Sequence, residues 1–139
     1  MLFHKDTKIS VLGDGGWGTT LSLLLAEKGY EPKLWGAFPK YVSEVKKKRE
    51  NYKFLPGFEL PKKIDLTSDL AEALKSEYLV LAIPSQFLGQ VVKQLKNKPL
   101  ADKTFVIVTK GIDAHSLKVT SQNPEDRRPL RCIFSPKDH

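Results

Sequence analysis

Ile9-Ser10-Val11-Leu12-Gly13-Asp14-Gly15-Gly16-Trp17-Gly18 joins a short, β-rich apolar run directly to a cluster of glycines. From Gly16 the apolar residues change period: Trp17, Leu21, Leu24 and Leu25 recur at helical spacing, and Lys28-Gly29 then supplies a base and a C-terminal glycine to stop the segment. The local prediction is a buried strand, a tight turn and a helix. Within it, residues 13 to 18 fit the string G-x-G-x-x-G. That string means little alone, but here its first glycine follows a predicted strand and its last lies in the opening turn of a predicted helix.

Working outward, Lys33-Leu34-Trp35 after Pro32 predicts a second strand, and Pro39 opens a basic amphipathic helix with Tyr41, Val42 and Val45 inward. Asn51 to Pro61, with two prolines and a glycine, is expected to be a loop. Ile64 and Leu66 alternate with polar neighbours, and Asp69 with Glu72 three positions later marks a capped helix start through Leu74. Tyr78-Leu79-Val80-Leu81-Ala82-Ile83 is a continuous apolar run, as in a strand covered on both faces, and Pro84 ends it. Ser85 is placed to cap a helix that spaces Phe87, Leu88, Val91, Val92 and Leu95 for one buried face. Thr104 to Val108 predicts another covered strand, followed by Thr109-Lys110-Gly111. Strands alternating with helices imply a parallel sheet with right-handed crossovers, so the fold class is α/β, a doubly wound parallel sheet of Rossmann type. Residues 1–113 form that domain. Residues 114–139 lose the periodic signals and are expected to be an irregular tail with at most one added strand.

Composition agrees with one ordinary globular unit. The chain has 139 residues, 40% of them apolar and 28% charged, with 9 Gly, 9 Pro and 1 Cys. A single Cys132 makes no internal disulfide, and the first residues lack the pattern of a signal peptide, so a reducing, cytoplasmic location is expected. The longest aliphatic run is far short of a membrane span. The net charge is +7, and it is concentrated: Lys40, Lys46, Lys47, Lys48, Arg49, Lys53, Lys62 and Lys63 face only Glu44, Glu50 and Glu59 between positions 40 and 63. This stripe lacks interleaved aromatics and any helix-turn-helix or finger spacing, so it is read as a solvated face, with no nucleic-acid partner expected.

The glycine turn carries the chemistry. Gly13 permits the sharp turn, Gly15 lets a pyrophosphate approach the main chain, and Gly18 lets helix and sheet pack closely. Free amides at the helix start, with the helix dipole, then face the phosphates of a dinucleotide. The same fingerprint calls for an acidic residue after the second strand to hold a ribose hydroxyl. Trp35-Gly36-Ala37-Phe38-Pro39-Lys40 contains none, so the choice between NAD and NADP stays open, with Lys40 a possible partner for a 2′-phosphate. In a doubly wound sheet the ligand crevice lies at the carboxyl ends of the strands, here Gly13, Pro84-Ser85 and Thr109-Lys110-Gly111. Lys110 is placed there to reach an anionic substrate or a carbonyl oxygen gaining charge during hydride addition. Phe87 is a candidate to lie against the cofactor, with core packing the alternative. His4, His115, His139 and Cys132 show no metal or triad spacing, and no metal site is expected.

With these residues in view, the chain resembles the amino-terminal domain of NAD(P)-dependent glycerol-3-phosphate dehydrogenase. Four stretches carry the likeness: Gly13 to Thr19, Asn51 to Pro61, Ile83-Pro84-Ser85-Gln86-Phe87, and Thr109-Lys110-Gly111-Ile112. The resemblance implies hydride transfer between a nicotinamide and the pair dihydroxyacetone phosphate and sn-glycerol 3-phosphate, in phospholipid synthesis. It further implies that Gly13, Gly15, Gly16, Trp17 and Gly18 hold the dinucleotide, that Phe87 flanks it, and that Lys110 contacts both cofactor and substrate. Ala37 stands where relatives often carry a larger residue near the adenosine ribose. Family members continue into a helical second domain that supplies the principal catalytic lysine, so this chain is expected to bind cofactor and to be catalytically incomplete alone. The alternatives are a non-catalytic nucleotide-binding or basic interaction module, or a fragment of a different Rossmann dehydrogenase.

Overall fold

The computed structural model describes residues 6–95, 98, 100, 102–108 and, for the main chain, 131–132. Strand β1 (Ile9–Leu12) leads into helix α1 (Gly16–Glu27), strand β2 (Lys33–Trp35) and helix α2 (Pro39–Lys48). Two short strands, β3 (Glu50–Asn51) and β4 (Leu55–Glu59), precede β5 (Asp65–Thr67) and the one-turn helix α3 (Leu70–Ala73). Then come β6 (Tyr78–Leu81), α4 (Ser85–Leu95), β7 (Thr104–Ile107) and β8 (Arg131–Cys132).

Six strands form one sheet in the order β5-β2-β1-β6-β7-β8, with every neighbouring pair parallel. The chain winds outward from β1 through β2 to β5, returns to lay β6 on the other side of β1, and winds outward again through β7. This is the expected doubly wound architecture, and its winding reverses between β1 and β6. Alternate strand residues feed two apolar layers. Val11, Leu34 and Leu66 pack with Tyr41, Val42 and Val45 of α2 on one side. Leu12, Leu79, Leu81, Phe105 and Ile107 pack with Leu88, Val91 and Leu95 of α4 on the other.

Local signals end the helices where the sequence places them. After α1, Gly29 adopts φ +97°, its N–H reaches the Ala26 carbonyl at 3.1 Å, and the Tyr30 N–H reaches that of Leu25 at 3.0 Å, a Schellman closure. Pro39 occupies the first turn of α2, and Lys46, Lys47 and Lys48 sit where the negative end of the helix dipole favours them. Asp69 caps α3 by accepting a 3.0 Å hydrogen bond from the Ala71 N–H.

One helix packs in a way that its apolar spacing does not show, and one expectation changes. The apolar stripe of α1 is only partly its packing face: Gly18, Thr19, Ser22 and Ala26 are buried and Leu21 and Leu25 half-buried, Leu25 against the core, whereas Trp17 and Leu24 are exposed. At Gly18 the helix comes so close to the glycine turn that no side chain fits between them. The Asn51 to Pro61 loop is instead an antiparallel hairpin, pairing Glu50 with Glu59 and Asn51 with Leu55 around an irregular register. Short strands interrupted by Pro56 and Gly57 carry almost no alternation, which is why a loop was the natural reading. In the tail, β8 adds a parallel edge, with Arg131 opposite Thr104 and Cys132 opposite Phe105.

Candidate functional site

The site forms where β1 and β6 part company. Gly13 sits at φ +122°, and a β-carbon there would lie 2.5 Å from the Ala82 carbonyl oxygen, so only glycine lets the two strand ends approach. Gly18 is closer still: its β-carbon would collide with the Gly13 carbonyl oxygen. A β-carbon on Gly16 would lie 2.9 Å from the Phe54 carbonyl oxygen, because the hairpin turn covers that side of α1. Gly15 differs from all three. A β-carbon there meets no described protein atom within 4 Å, so it borders open space.

Gly15 is also the N-cap residue of α1, and no side chain caps the helix. The first amides of an α-helix have no partner within it, so this end presents bare N–H groups beside that space. Together with the dipole, they form a cradle suited to an anion such as a pyrophosphate. Trp17 stands 55% exposed in the same turn, and Phe87, 45% exposed in the first turn of α4, belongs to the surface rather than the core. Lys40 is exposed at the start of α2. Thr109, Lys110 and Gly111 lie outside the described residues, as do His4, His115 and His139; β7 is described to its end, where the Val108 N–H donates to Leu81 at 3.1 Å.

A residue that sequence reading assigned no role holds this site together. Asn51 is 1% exposed, and its Nδ2 donates at 2.8 Å to the Asp14 carbonyl and at 2.8 Å to Thr19 Oγ1. Its Oδ1 accepts from the Tyr41 hydroxyl. One buried amide thus ties the glycine turn, the first turn of α1, α2 and the hairpin. The signal was visible only as the first letter of the asparagine-to-proline stretch. The hairpin is itself pinned to α2: Tyr41 meets Tyr52 and Phe54 edge-on at 5.4 and 5.9 Å, and the Tyr52 hydroxyl donates to Glu44 at 2.5 Å. That bond pushes the Tyr52 pKa up to about 12 and lowers that of Glu44. Arg49, in a left-handed conformation at the end of α2, closes the hairpin base by donating to the carbonyls of Leu60, Pro61 and Ile64.

Asp14 is the charged member of the turn. Its carboxylate lies against Gly36 just beyond β2, and burial raises its pKa, opposed by a hydrogen bond from its own main chain. Among the described residues no cluster of three metal-binding side chains occurs, and no helix is long and apolar enough to cross a membrane.

Comparison with known proteins places this geometry. Residues 8–129 match the family model described as the NAD-dependent glycerol-3-phosphate dehydrogenase N-terminus. The glycerol-3-phosphate dehydrogenase [NAD(P)+] of Bacillus velezensis is 37% identical over 123 residues, covering 88% of this chain and 36% of the relative. That of Citrifermentans bemidjiense is 42% identical over 138 residues, covering 93% and 41%. The crystal structure of glycerol-3-phosphate dehydrogenase from Coxiella burnetii superposes with a TM-score of 0.77 at 26% identity, over 82% of this chain and 37% of that one. The chain therefore spans about two-fifths of the length of the relatives it matches. With its winding reversal, glycine turn and this match over residues 8–129, the chain belongs to the NAD-dependent glycerol-3-phosphate dehydrogenase family, in that family's N-terminal domain.

Proposed function

We propose that this chain binds a nicotinamide dinucleotide, NAD or NADP, with the diphosphate on the amides of Gly15, Gly16 and Trp17 and with Gly13 and Gly18 holding strand and helix close enough to present them. One observation carries the reading: of the four glycines in the turn, the three that face protein have no room for a side chain, and the fourth, Gly15, faces open space at an uncapped helix start. Phe87 would flank the cofactor and Lys110 would contact both cofactor and substrate. When bound, the nicotinamide would exchange a hydride with dihydroxyacetone phosphate or sn-glycerol 3-phosphate, the reaction after which the relatives are named. In this reading residues 1–113 form the binding unit, residues 114–139 an appended tail, and the location is cytoplasmic. Turnover by the 139-residue chain is expected to be negligible, because the relatives devote more than half their length to sequence it does not contain.

Titration calorimetry with NADH and NADPH tests the site. Binding of at least one is expected, and Gly15→Val should abolish it with little change in melting temperature, since the new side chain meets coenzyme rather than protein. Unchanged affinity in that variant would mean that the diphosphate lies elsewhere. Robust reduction of dihydroxyacetone phosphate by the purified chain would refute its catalytic incompleteness.

A further inference from the structure

The segment after β2, Gly36-Ala37-Phe38-Pro39-Lys40, has no acidic residue, yet a carboxylate is present at its start. Asp14 reaches sideways out of the glycine turn. A β-carbon on Gly36 would lie 2.6 Å from the Asp14 carboxyl carbon, closer still to Oδ2, and 2.7 Å from a Val42 methyl. Gly36 is therefore the gap that admits the Asp14 side chain, at the strand end where dinucleotide-binding turns of this type expect an acid.

Nothing structural accounts for a charge there. Among the described residues no lysine or arginine forms an ion pair with Asp14, and burial without a cation disfavours the carboxylate, which its own main-chain N–H only partly relieves. The main chain that carries it is held by the buried Asn51 amide, which donates to the Asp14 carbonyl at 2.8 Å, and the carboxylate itself lies in the gap left by Gly36. A half-buried acceptor without a cation, one residue from the open space at Gly15, is suited to a ligand that brings hydroxyl donors and no further negative charge.

We propose that Asp14 holds the adenosine ribose hydroxyls of the coenzyme in place of the missing acid after β2, and that it turns away a 2′-phosphate. The chain would then prefer NAD over NADP. The proposal rests on the reading of residues 13 to 18 as the diphosphate site. A 2′-phosphate would set a dianion beside a carboxylate that has no cation to offset it. Lys40, the one base between residues 35 and 40, stands exposed on α2.

The test is titration calorimetry of the 139-residue chain with ADP-ribose, 2′-deoxy-ADP-ribose and 2′-phospho-ADP-ribose, which report binding without turnover. The wild type should bind ADP-ribose at least about tenfold more tightly than either analogue, the range expected for hydrogen bonds to a charged acceptor. Asp14→Asn and Asp14→Ala should shrink that preference to about threefold or less, chiefly by tightening the 2′-phosphate ligand. Equal affinity of the wild type for all three ligands overturns the assignment with no variant needed. So does an unchanged preference in Asp14→Asn that melts like the wild type. Absence of heat with all three, and with NADH, overturns the diphosphate site itself and the Asp14 role with it.

Discussion

Helices α1 and α4 hold equivalent places in the fold, each following a strand beside the winding reversal, yet they pack by opposite rules. The apolar stripe of α4 is its buried face: Leu88, Val91 and Leu95 enter the core at 8%, 4% and 1% exposure. In α1 the inward face is Gly18, Thr19, Ser22 and Ala26, and Leu24 faces out. Apolar burial stabilises by roughly 25 cal/mol per Å², so α1 gives up part of what its leucines would contribute inside. In return its first turn comes close enough to β1 and β6 to place bare amides at their ends. One helix is packed for stability, the other for proximity.

Substitutions that add or remove a few atoms separate the two regimes. Gly18→Ala should be the most damaging, because its methyl falls on the Gly13 carbonyl oxygen, main chain that cannot swing aside. A loss of at least about 4 kcal/mol in urea unfolding, or failure to fold, is expected. Wild-type stability would show that α1 tolerates distance from β1 after all. Leu95→Ala, in the helix that packs by area, should cost about 3 kcal/mol by the same measurement; a loss under about 1 kcal/mol would remove the contrast from the other side. Gly89→Ala repeats the Gly18 change on α4, where no described atom lies within 4 Å of the new methyl. Here the sign should reverse, with a gain of about 0.5–1 kcal/mol from helix propensity. The smallest effect concerns pH. Burial raises the Asp14 pKa above its unfolded value, so the folded state binds the proton more tightly, and stability is lost as pH rises from the ordinary carboxylate range through the raised value. Asp14→Asn lacks this term, so its melting temperature should gain on the wild type between pH 3.5 and pH 7; a constant difference would place the carboxylate in water.

Much of this architecture was legible because its signals are local. Strand, glycine turn and helix are adjacent in the chain, and the apolar run from Tyr78 to Ile83 needs no partner to announce a buried strand. The packing face of α1 was not legible, because hydrophobic spacing marks leucines and is silent on the approach distance that makes glycine, serine and threonine the inner residues. Nor was the hairpin, whose strands pair only where Asn51 meets Leu55 and Glu50 meets Glu59. Within the candidate site, the tight turn at Gly13 and the close packing at Gly18 followed from a fingerprint with a known mechanism. Asn51 and Asp14 escaped because their importance lies in contacts with residues far along the chain: Asn51 with Asp14, and Asp14 with Gly36. The fingerprint places its acid by sequence position after β2, whereas the carboxylate lying against Gly36 there belongs to the glycine turn.

The Asn51 amide also bears on the order in which the molecule assembles. It grips a carbonyl 37 residues earlier in the chain, so a turn that looks self-sufficient in sequence is finished only once the hairpin has been delivered to it. Forming a hairpin takes about 1–10 μs, slower than the about 0.1–1 μs needed to wind a helix such as α1. Newly made chains should therefore pass through a stage with the helix formed and the phosphate cradle still open-jawed, and competence to capture a coenzyme should appear late in refolding, in step with the burial of residue 51.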